Sequence, residues 1–168
     1  MKKGILFLFA AVLLPAMVFA QGNKSDAVFD RFSSIDGVTN LNISGGMLDI
    51  ITSRSDDPTL KEMRSKVSGI RLISSRGNAV PDFFNSVLSE IPESDFHELV
   101  RVREGENDVL LLANMTDDRI SELLVLVGGS ESVLVSIRGD MTMDDISEMS
   151  GGAGSMNLDF LGGFGFGR

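Results

Sequence analysis

The side chains best suited to chemistry in this 168-residue chain are a single histidine and three pairs of adjacent aspartates. A histidine can act as a general base, and paired carboxylates can transfer protons or bind calcium. His97 begins a predicted strand, and the chain has neither a second histidine nor a cysteine, which excludes histidine-pair and thiolate metal sites. We therefore interpret His97 as an ordinary surface or edge histidine.

Each aspartate pair also has a structural explanation. Asp57 precedes Pro58 as a helix cap, Asp117 and Asp118 fall in a predicted hairpin turn, and Asp144 with Asp145 suits a helix N-terminus. The chain contains no EF-hand loop, phosphate loop, Gly-x-Ser-x-Gly segment or dinucleotide-binding pattern. We therefore predict that the protein is not an enzyme and binds no metal or cofactor.

Methionines are the remaining candidates, because they form adaptable binding surfaces or bind copper. Met141 and Met143, with Met149 and Met156 beyond them, are the only clustered ones. Most of the methionines after the predicted signal peptide fall at predicted core positions, so packing is the favoured interpretation.

The first half of the chain alternates between helical and strand patterns. Apolar residues at helical spacing predict a helix capped by Ser25, further helices after Ser44 and Asp57, and a longer helix from Val80-Pro81 to Ile91. These helices carry Phe29 and Phe32; Met47, Ile50 and Ile51; Leu60, Met63 and Val67; and Phe84, Val87, Leu88 and Ile91. Strands are predicted over 38–43 and 70–74.

The second half changes to a period of two. Strands are predicted over 98–103, 109–115, 120–127 and 132–138, and the short turns between them indicate an antiparallel meander. Thr142 and Asp145 resemble a capping box that opens a last helix. The expected fold is α+β: a two-layer sandwich, with helices packed on one face of a mainly antiparallel sheet that ends in a four-strand meander.

Residues 1–20 have the pattern of a cleavable signal peptide. Lys2 and Lys3 precede an apolar segment over 5–14, and cleavage is expected between Ala20 and Gln21. The alternative is an uncleaved anchor, but the apolar segment is short and Pro15 interrupts it. We therefore expect a periplasmic or secreted protein without an integral membrane segment after cleavage, and without a lipid, because no cysteine follows the cleavage site.

Charge narrows the possible partners. The formal net charge of the chain is −9, and it would become −11 once Lys2 and Lys3 are removed. An acidic protein is repelled by phosphate backbones and anionic headgroups. We expect binding to neither nucleic acid nor the membrane surface.

Residues 151–168 form a separate Gly/Phe-rich segment after the single domain predicted over 21–150. Gly-rich chain loses much backbone entropy on ordering, which favours a flexible tail. Phe160, Phe164 and Phe166 are atypical of a pure linker. The alternative is a tail whose phenylalanines bind a partner or pack back on the domain.

The order of motifs resembles the bacterial domain of unknown function 4252 family over roughly residues 26–150. The resemblance rests on Phe29 and Phe32 followed by 37–39, on 69–71 and 98–102, on the turn over 124–129, and on the final hairpin 133–140 with its helix. It implies a small exported or envelope protein and brings no site residues. Members encoded near sigma-factor genes would hint at a role in envelope stress.

Together these observations predict a non-enzymatic periplasmic or envelope-associated interaction module. A sheet face, a sheet edge or the aromatic tail would contact another envelope protein. The alternative is a binding protein for a small apolar ligand held between the helices and the sheet, and a weaker one is a hydrolase built around His97.

Overall fold

A computed structural model describes residues 24–149 apart from Ser55, Asp57, Asn78 and Glu106. Its strands are β1 (Val38–Ser44), β2 (Val67–Arg76), β3 (His97–Glu104), β4 (Asn107–Thr116), β5 (Arg119–Val127) and β6 (Glu131–Met141). Its helices are α1 (Asp26–Ser33), α2 (Gly45–Ser53), α3 (Pro58–Lys66), α4 (Phe83–Leu88) and α5 (Met143–Met149). All the described strands belong to one antiparallel sheet of order β1-β2-β6-β5-β4-β3.

The predicted meander is present as β3 to β6, but it is only part of the sheet. β1 and β2 extend it on the β6 side, which gives six strands in place of a four-strand unit. β2 begins at Val67, a residue predicted to belong to the preceding helix, because Val67 is buried against the sheet and pairs with Gly139. Packing therefore overrides the helical spacing at this boundary.

Helices lie on both faces of the sheet, so the expected two-layer arrangement with helices on one face is wrong. α1 and α4 pack on one face, here called face 1, whose apolar residues include Phe29, Val87 and Leu124. α2 and α3 pack on the opposite face, face 2, where α5 contributes Ile146. The reason is visible in β5, where the five residues from Glu122 to Leu126 are all buried, so neither side of the strand faces water.

The longest predicted helix is much shorter in the structure. α4 covers Phe83–Leu88 in place of 80–91. Asp82 has a left-handed backbone with φ of 47°, which a continuous right-handed helix does not allow, so the helix begins after it. Phe84, Val87 and Ile91 are nevertheless buried on face 1 as their spacing predicts.

Two polar predictions are confirmed at the turns and caps. Asp117 adopts a left-handed φ of 52° in the β4–β5 turn. Thr142 and Asp145 form a reciprocal capping box: the Thr142 amide donates to Asp145 Oδ2 over 2.7 Å, and the Asp145 amide donates to Thr142 Oγ1 over 3.2 Å.

The predicted leader (residues 1–20) and the predicted tail (residues 151–168) lie outside the described residues. Among residues 24–149, as far as the structure describes them, no helix is long and apolar enough to cross a membrane.

Candidate protein-interaction surface

Four large apolar side chains are exposed on β1 and α2, at one edge of the sheet. Leu41 is 38 % exposed, Met47 49 %, Ile50 53 % and Ile51 46 %. Single exposed apolar residues are common on proteins, but a group of four on adjacent elements is characteristic of interaction sites. We call these four residues, together with the edge of β1 that pairs with no described strand, the β1–α2 surface.

β1 is an edge strand without a charged residue. It pairs with β2 on one side, and no residue between Asp36 and Asp49 carries a charge. The outer side of an edge strand presents backbone amide and carbonyl groups that another strand can bind. Leu41 lies two residues from Ile43 and opposite Leu72, so it projects on face 2, the side on which α2 packs.

The helix α2 directs its exposed apolar stripe toward this edge. Leu48 and Thr52 are buried, and Asp49 bonds to Arg64 of α3 through the arginine Nε at 2.5 Å. At about 100° per residue, Met47 and Ile51 fall on the side of the helix opposite Asp49, whereas Ile50 points away from the buried Leu48 and Thr52. α3 packs on β2 and β6 whereas α2 packs on β1 and β2, so the side away from α3 is the β1 edge.

The opposite edge of the sheet is built differently. In β3, Arg101 Nη2 bonds to Glu98 Oε2 over 2.8 Å, and Arg103 Nε bonds to Asp108 Oδ1 over 2.6 Å. Charges along an edge strand oppose pairing with another strand. β3 therefore has the protection that β1 lacks, although Val102 is also exposed.

The residues that sequence patterns single out for chemistry lie apart from this surface. His97 is exposed at the start of β3, and Asp117 and Asp118 lie in the exposed β4–β5 turn. Among the described residues, no group of three or more histidine, cysteine, aspartate or glutamate side chains could hold a metal ion. The partner-binding prediction for Phe160, Phe164 and Phe166 falls outside the described residues and stays a prediction.

The methionines divide between core and surface. Met141 is fully buried in the cluster on face 2, whereas Met47 and Met143 are each about half exposed. Met47 and Met143 are therefore exceptions to the expectation that most methionines serve packing. Met47 belongs to the β1–α2 surface.

Glu122 is the most unusual polar residue of the described chain, because its carboxylate is almost completely buried. It accepts hydrogen bonds from the hydroxyl groups of Ser25 and Ser136 and from Arg138 Nε at 3.1 Å. Arg138 also pairs with Asp26 of α1. These five residues form what we call the Glu122 cluster.

A second arginine extends the Glu122 cluster along α1. Arg71 Nη1 lies 2.8 Å from Asp26 Oδ1, Nη2 lies 2.9 Å from Asp30 Oδ1, and the guanidinium stacks 4.8 Å from the centre of the Phe29 ring. Burial acts to raise the pKa of Asp26, but hydrogen bonds and charges from Arg138 and Arg71 outweigh it, so the pKa is lowered. Opposite charges are paired throughout, as buried charges require.

The Glu122 cluster contradicts one sequence-based prediction. Ser25 precedes α1 at the cap position but makes no side-chain capping bond, because its hydroxyl is directed to Glu122. The signal that sequence patterns carried was Glu122 itself, the only charged residue between Ile120 and Val127. Its partners Ser136 and Arg138 lie on the next strand and Ser25 lies 97 residues away, and none of them has such a signal.

An open cavity of about 370 Å³ lies between the end of β2, the start of α4 and the β5–β6 turn. Its lining is largely polar and includes Ser75, Asp82, Asn85, Asp108 and Ser132. A small apolar ligand needs an enclosed apolar site. The apolar-ligand hypothesis therefore stays a prediction that this cavity does not support.

Comparison with known proteins places the chain in a family. A family model described as a domain of unknown function, DUF4252, matches residues 32–149. The chain belongs to this family. No curated protein and no solved structure is detectably similar to it.

The DUF4252 match begins within α1 and ends with α5. It therefore contains the whole of the β1–α2 surface as well as Glu122 and Arg138. Ser25 and Asp26 precede the matched residues. The resemblance proposed from sequence motifs, over roughly 26–150, is confirmed as to family.

Proposed function

We propose that this DUF4252 protein is a non-enzymatic, periplasmic or envelope-associated interaction module. Its β1–α2 surface would bind an extended, uncharged segment of a partner protein as an additional strand. The observation that carries the proposal is the contrast between the two edges of the sheet: β1 is uncharged and flanked by exposed apolar residues, whereas β3 carries ion pairs.

Strand addition accounts for both components of the surface. The partner backbone would satisfy the outer amide and carbonyl groups of β1, which supplies affinity through main-chain hydrogen bonds. Alternate side chains of the added strand would face α2 and cover Leu41, Met47 and Ile51. An uncharged partner segment is required, because a charged side chain placed among these residues would lose its hydration without gaining a partner.

Site-specific photocrosslinking in living cells tests the proposal. A photoreactive phenylalanine analogue replaces Leu41 in one strain and Val102 in another, because Val102 is equally apolar and exposed on the opposite edge. We expect a discrete adduct through position 41, with its attachment point mapped by mass spectrometry to an uncharged stretch of the partner. Equal capture through both positions, or attachment within charged segments, would contradict the proposal.

A further inference from the structure

We propose that the segment bound by β1 is β1 of a second copy of this chain, in a dimer with twofold symmetry. This inference rests on the proposed function, because it identifies the partner of the same surface. The two β1 strands would pair antiparallel with Leu41 of one copy opposite Leu41 of the other. The six-stranded sheet would then continue across the axis into the sheet of the second copy.

The sequence of β1 is self-complementary about Leu41. The strand reads Val-Thr-Asn-Leu-Asn-Ile-Ser over Val38–Ser44. An antiparallel pair centred on Leu41 places Asn40 opposite Asn42 and Thr39 opposite Ile43, and each pair occurs twice by symmetry. The asparagine pairs would lie on face 1, and the leucine and threonine–isoleucine pairs on face 2.

This register is preferred over its neighbours because it uses the whole strand. With Leu41 at the axis, all seven residues of β1 face a residue of the other copy, from Val38 opposite Ser44 onward. Centring the pair on Asn40 or Asn42 leaves residues unpaired at the strand ends. No register brings two charged side chains together, since β1 has none.

The helix α2 adds area that two strands alone would lack. Met47 and Ile51 lie on the side of α2 toward the β1 edge on face 2, so the twofold axis would bring these residues of both copies to the same side of the continuous sheet. Met47 and Ile51 would then be covered by their counterparts. An interface of strand pairing plus apolar helix contact resembles a domain core divided in two, as in permanent dimers.

The charged β3 edge explains why the association would stop at two copies. Pairing of β1 with β3 of another molecule would repeat without closing and would build a filament. The ion pairs of Glu98 with Arg101 and of Arg103 with Asp108 oppose this pairing. Pairing of β1 with β1 occupies the β1 edge of each copy, so the assembly closes at two copies.

The negative charge of the chain makes the stability of this dimer depend on ionic strength. Each copy carries a formal net charge of −9 or more negative after leader removal, so the two copies repel each other at long range. Salt shortens the range of this repulsion to about 8 Å at 0.15 M. We expect the dimer to strengthen as ionic strength rises, opposite to an interface held by ion pairs.

Cysteine crosslinking tests the pairing directly, because the natural chain contains no cysteine. Facing residues of an antiparallel pair have Cα atoms about 4.5 or 5.5 Å apart, and both values suit a disulfide. The full chain carrying L41C is expressed, and protein from the envelope fraction is run without reductant. We expect a disulfide-linked species of twice the chain mass, and none for the matched control V102C.

Light scattering on the unmodified protein over a range of concentrations provides the second measurement. We expect the mass of two chains at micromolar concentration, and of one chain for the double variant N40K/N42K. Both asparagines are exposed, so this variant should keep the circular dichroism melt of the natural protein. A monomer at every concentration, with no more crosslinking for L41C than for V102C, would overturn the dimer.

The two proposals fail in distinguishable ways. Should the protein be monomeric while a different protein crosslinks to position 41 through an uncharged stretch, the dimer is wrong and the proposed function stands. Should position 41 form neither a dimer nor any specific adduct, both are wrong.

Discussion

Ser25 donates its hydroxyl hydrogen bond to Glu122, a residue 97 positions further along the chain, and not to the helix that it precedes. The bond joins the start of α1 to a central strand of the sheet. Ser136 and Arg138 of β6 bond to the same carboxylate. One buried acidic residue therefore connects the start of α1 to the adjacent strands β5 and β6, far along the sequence.

Replacement of Ser25 by alanine should destabilise the protein clearly. Ser25 is fully buried, and its loss removes a hydrogen bond to a charged acceptor, which contributes about 1.5–3 kcal/mol. The matched control is Ser53→Ala, whose exposed hydroxyl bonds only to the carbonyl of Ile50 in its own helix, and we expect a change within about 0.5 kcal/mol. Urea unfolding followed by circular dichroism measures both. Equal losses would show that Ser25 does not hold α1 to Glu122.

Replacement of Arg138 by alanine should cost more than any loss at a surface ion pair. The change leaves Glu122 buried without its cation, a condition that costs about 3–5 kcal/mol. Arg119→Ala is the control, because Arg119 pairs with Asp140 in an exposed setting where ion pairs contribute about 0–1 kcal/mol. The unfolding free energies of the two variants measure this difference in stability loss. A loss for Arg138→Ala no larger than that for Arg119→Ala would refute the role given to this pair.

The protein should lose stability in acid through Asp26. The arginines lower the pKa of Asp26 below its ordinary value of 3.8 despite its partial burial, so the folded chain binds a proton here less readily than the unfolded chain. This contribution is therefore complete above the unfolded pKa and is lost as the pH falls through 3.8 and below it.

Urea midpoints at pH 7 and pH 3 measure this effect. We expect the midpoint of the natural protein to fall on acidification and that of Asp26→Asn to fall less. Asp118→Asn, in the exposed β4–β5 turn, is the control and should follow the natural protein. An Asp26→Asn variant with the full acid dependence would assign the loss to other carboxylates.

Sequence patterns predicted the parts of this fold that depend on neighbours in the chain. The meander from β3 to β6 follows from alternation and turn residues, and the Thr142–Asp145 box from a local spacing. What they could not predict depends on pairing at long range. Burial of Val67 against β6 converts the end of a predicted helix into the start of β2. Helices cover both faces of the sheet because β5 is buried on both of its sides.

The candidate surface was only partly predictable. A sheet edge was among the expected contact sites, but the sequence could not show which strand would be at the edge. Met47, Ile50 and Ile51 share helical spacing and suggest a buried stripe, yet Leu48 and Thr52 are the residues that face the sheet. A helix that is apolar on nearly all sides does not reveal its buried side until its neighbours are placed.

Two glycines allow the elements that support the β1–α2 surface to be tested separately from the surface itself. A Cβ atom on Gly139 would lie 1.9 Å from the Lys66 carbonyl oxygen, where α3 ends and β2 begins, whereas a Cβ atom on Gly46 would contact nothing within 4 Å. Gly139→Ala should therefore force the backbone apart and cost about 3 kcal/mol. Gly46→Ala should stabilise α2 by about 0.5–1 kcal/mol, because alanine loses less backbone entropy in a helix.

Urea unfolding measures both changes, and crosslinking through position 41 measures the surface. We expect Gly46→Ala to keep the crosslink, because Gly46 precedes the apolar stripe and the added methyl group meets open space. Gly139→Ala should weaken the crosslink along with the fold, because α3 supports α2 through Arg64 and Asp49. A Gly139→Ala protein as stable as the natural one would show that the α3–β2 junction is not fixed by this close approach.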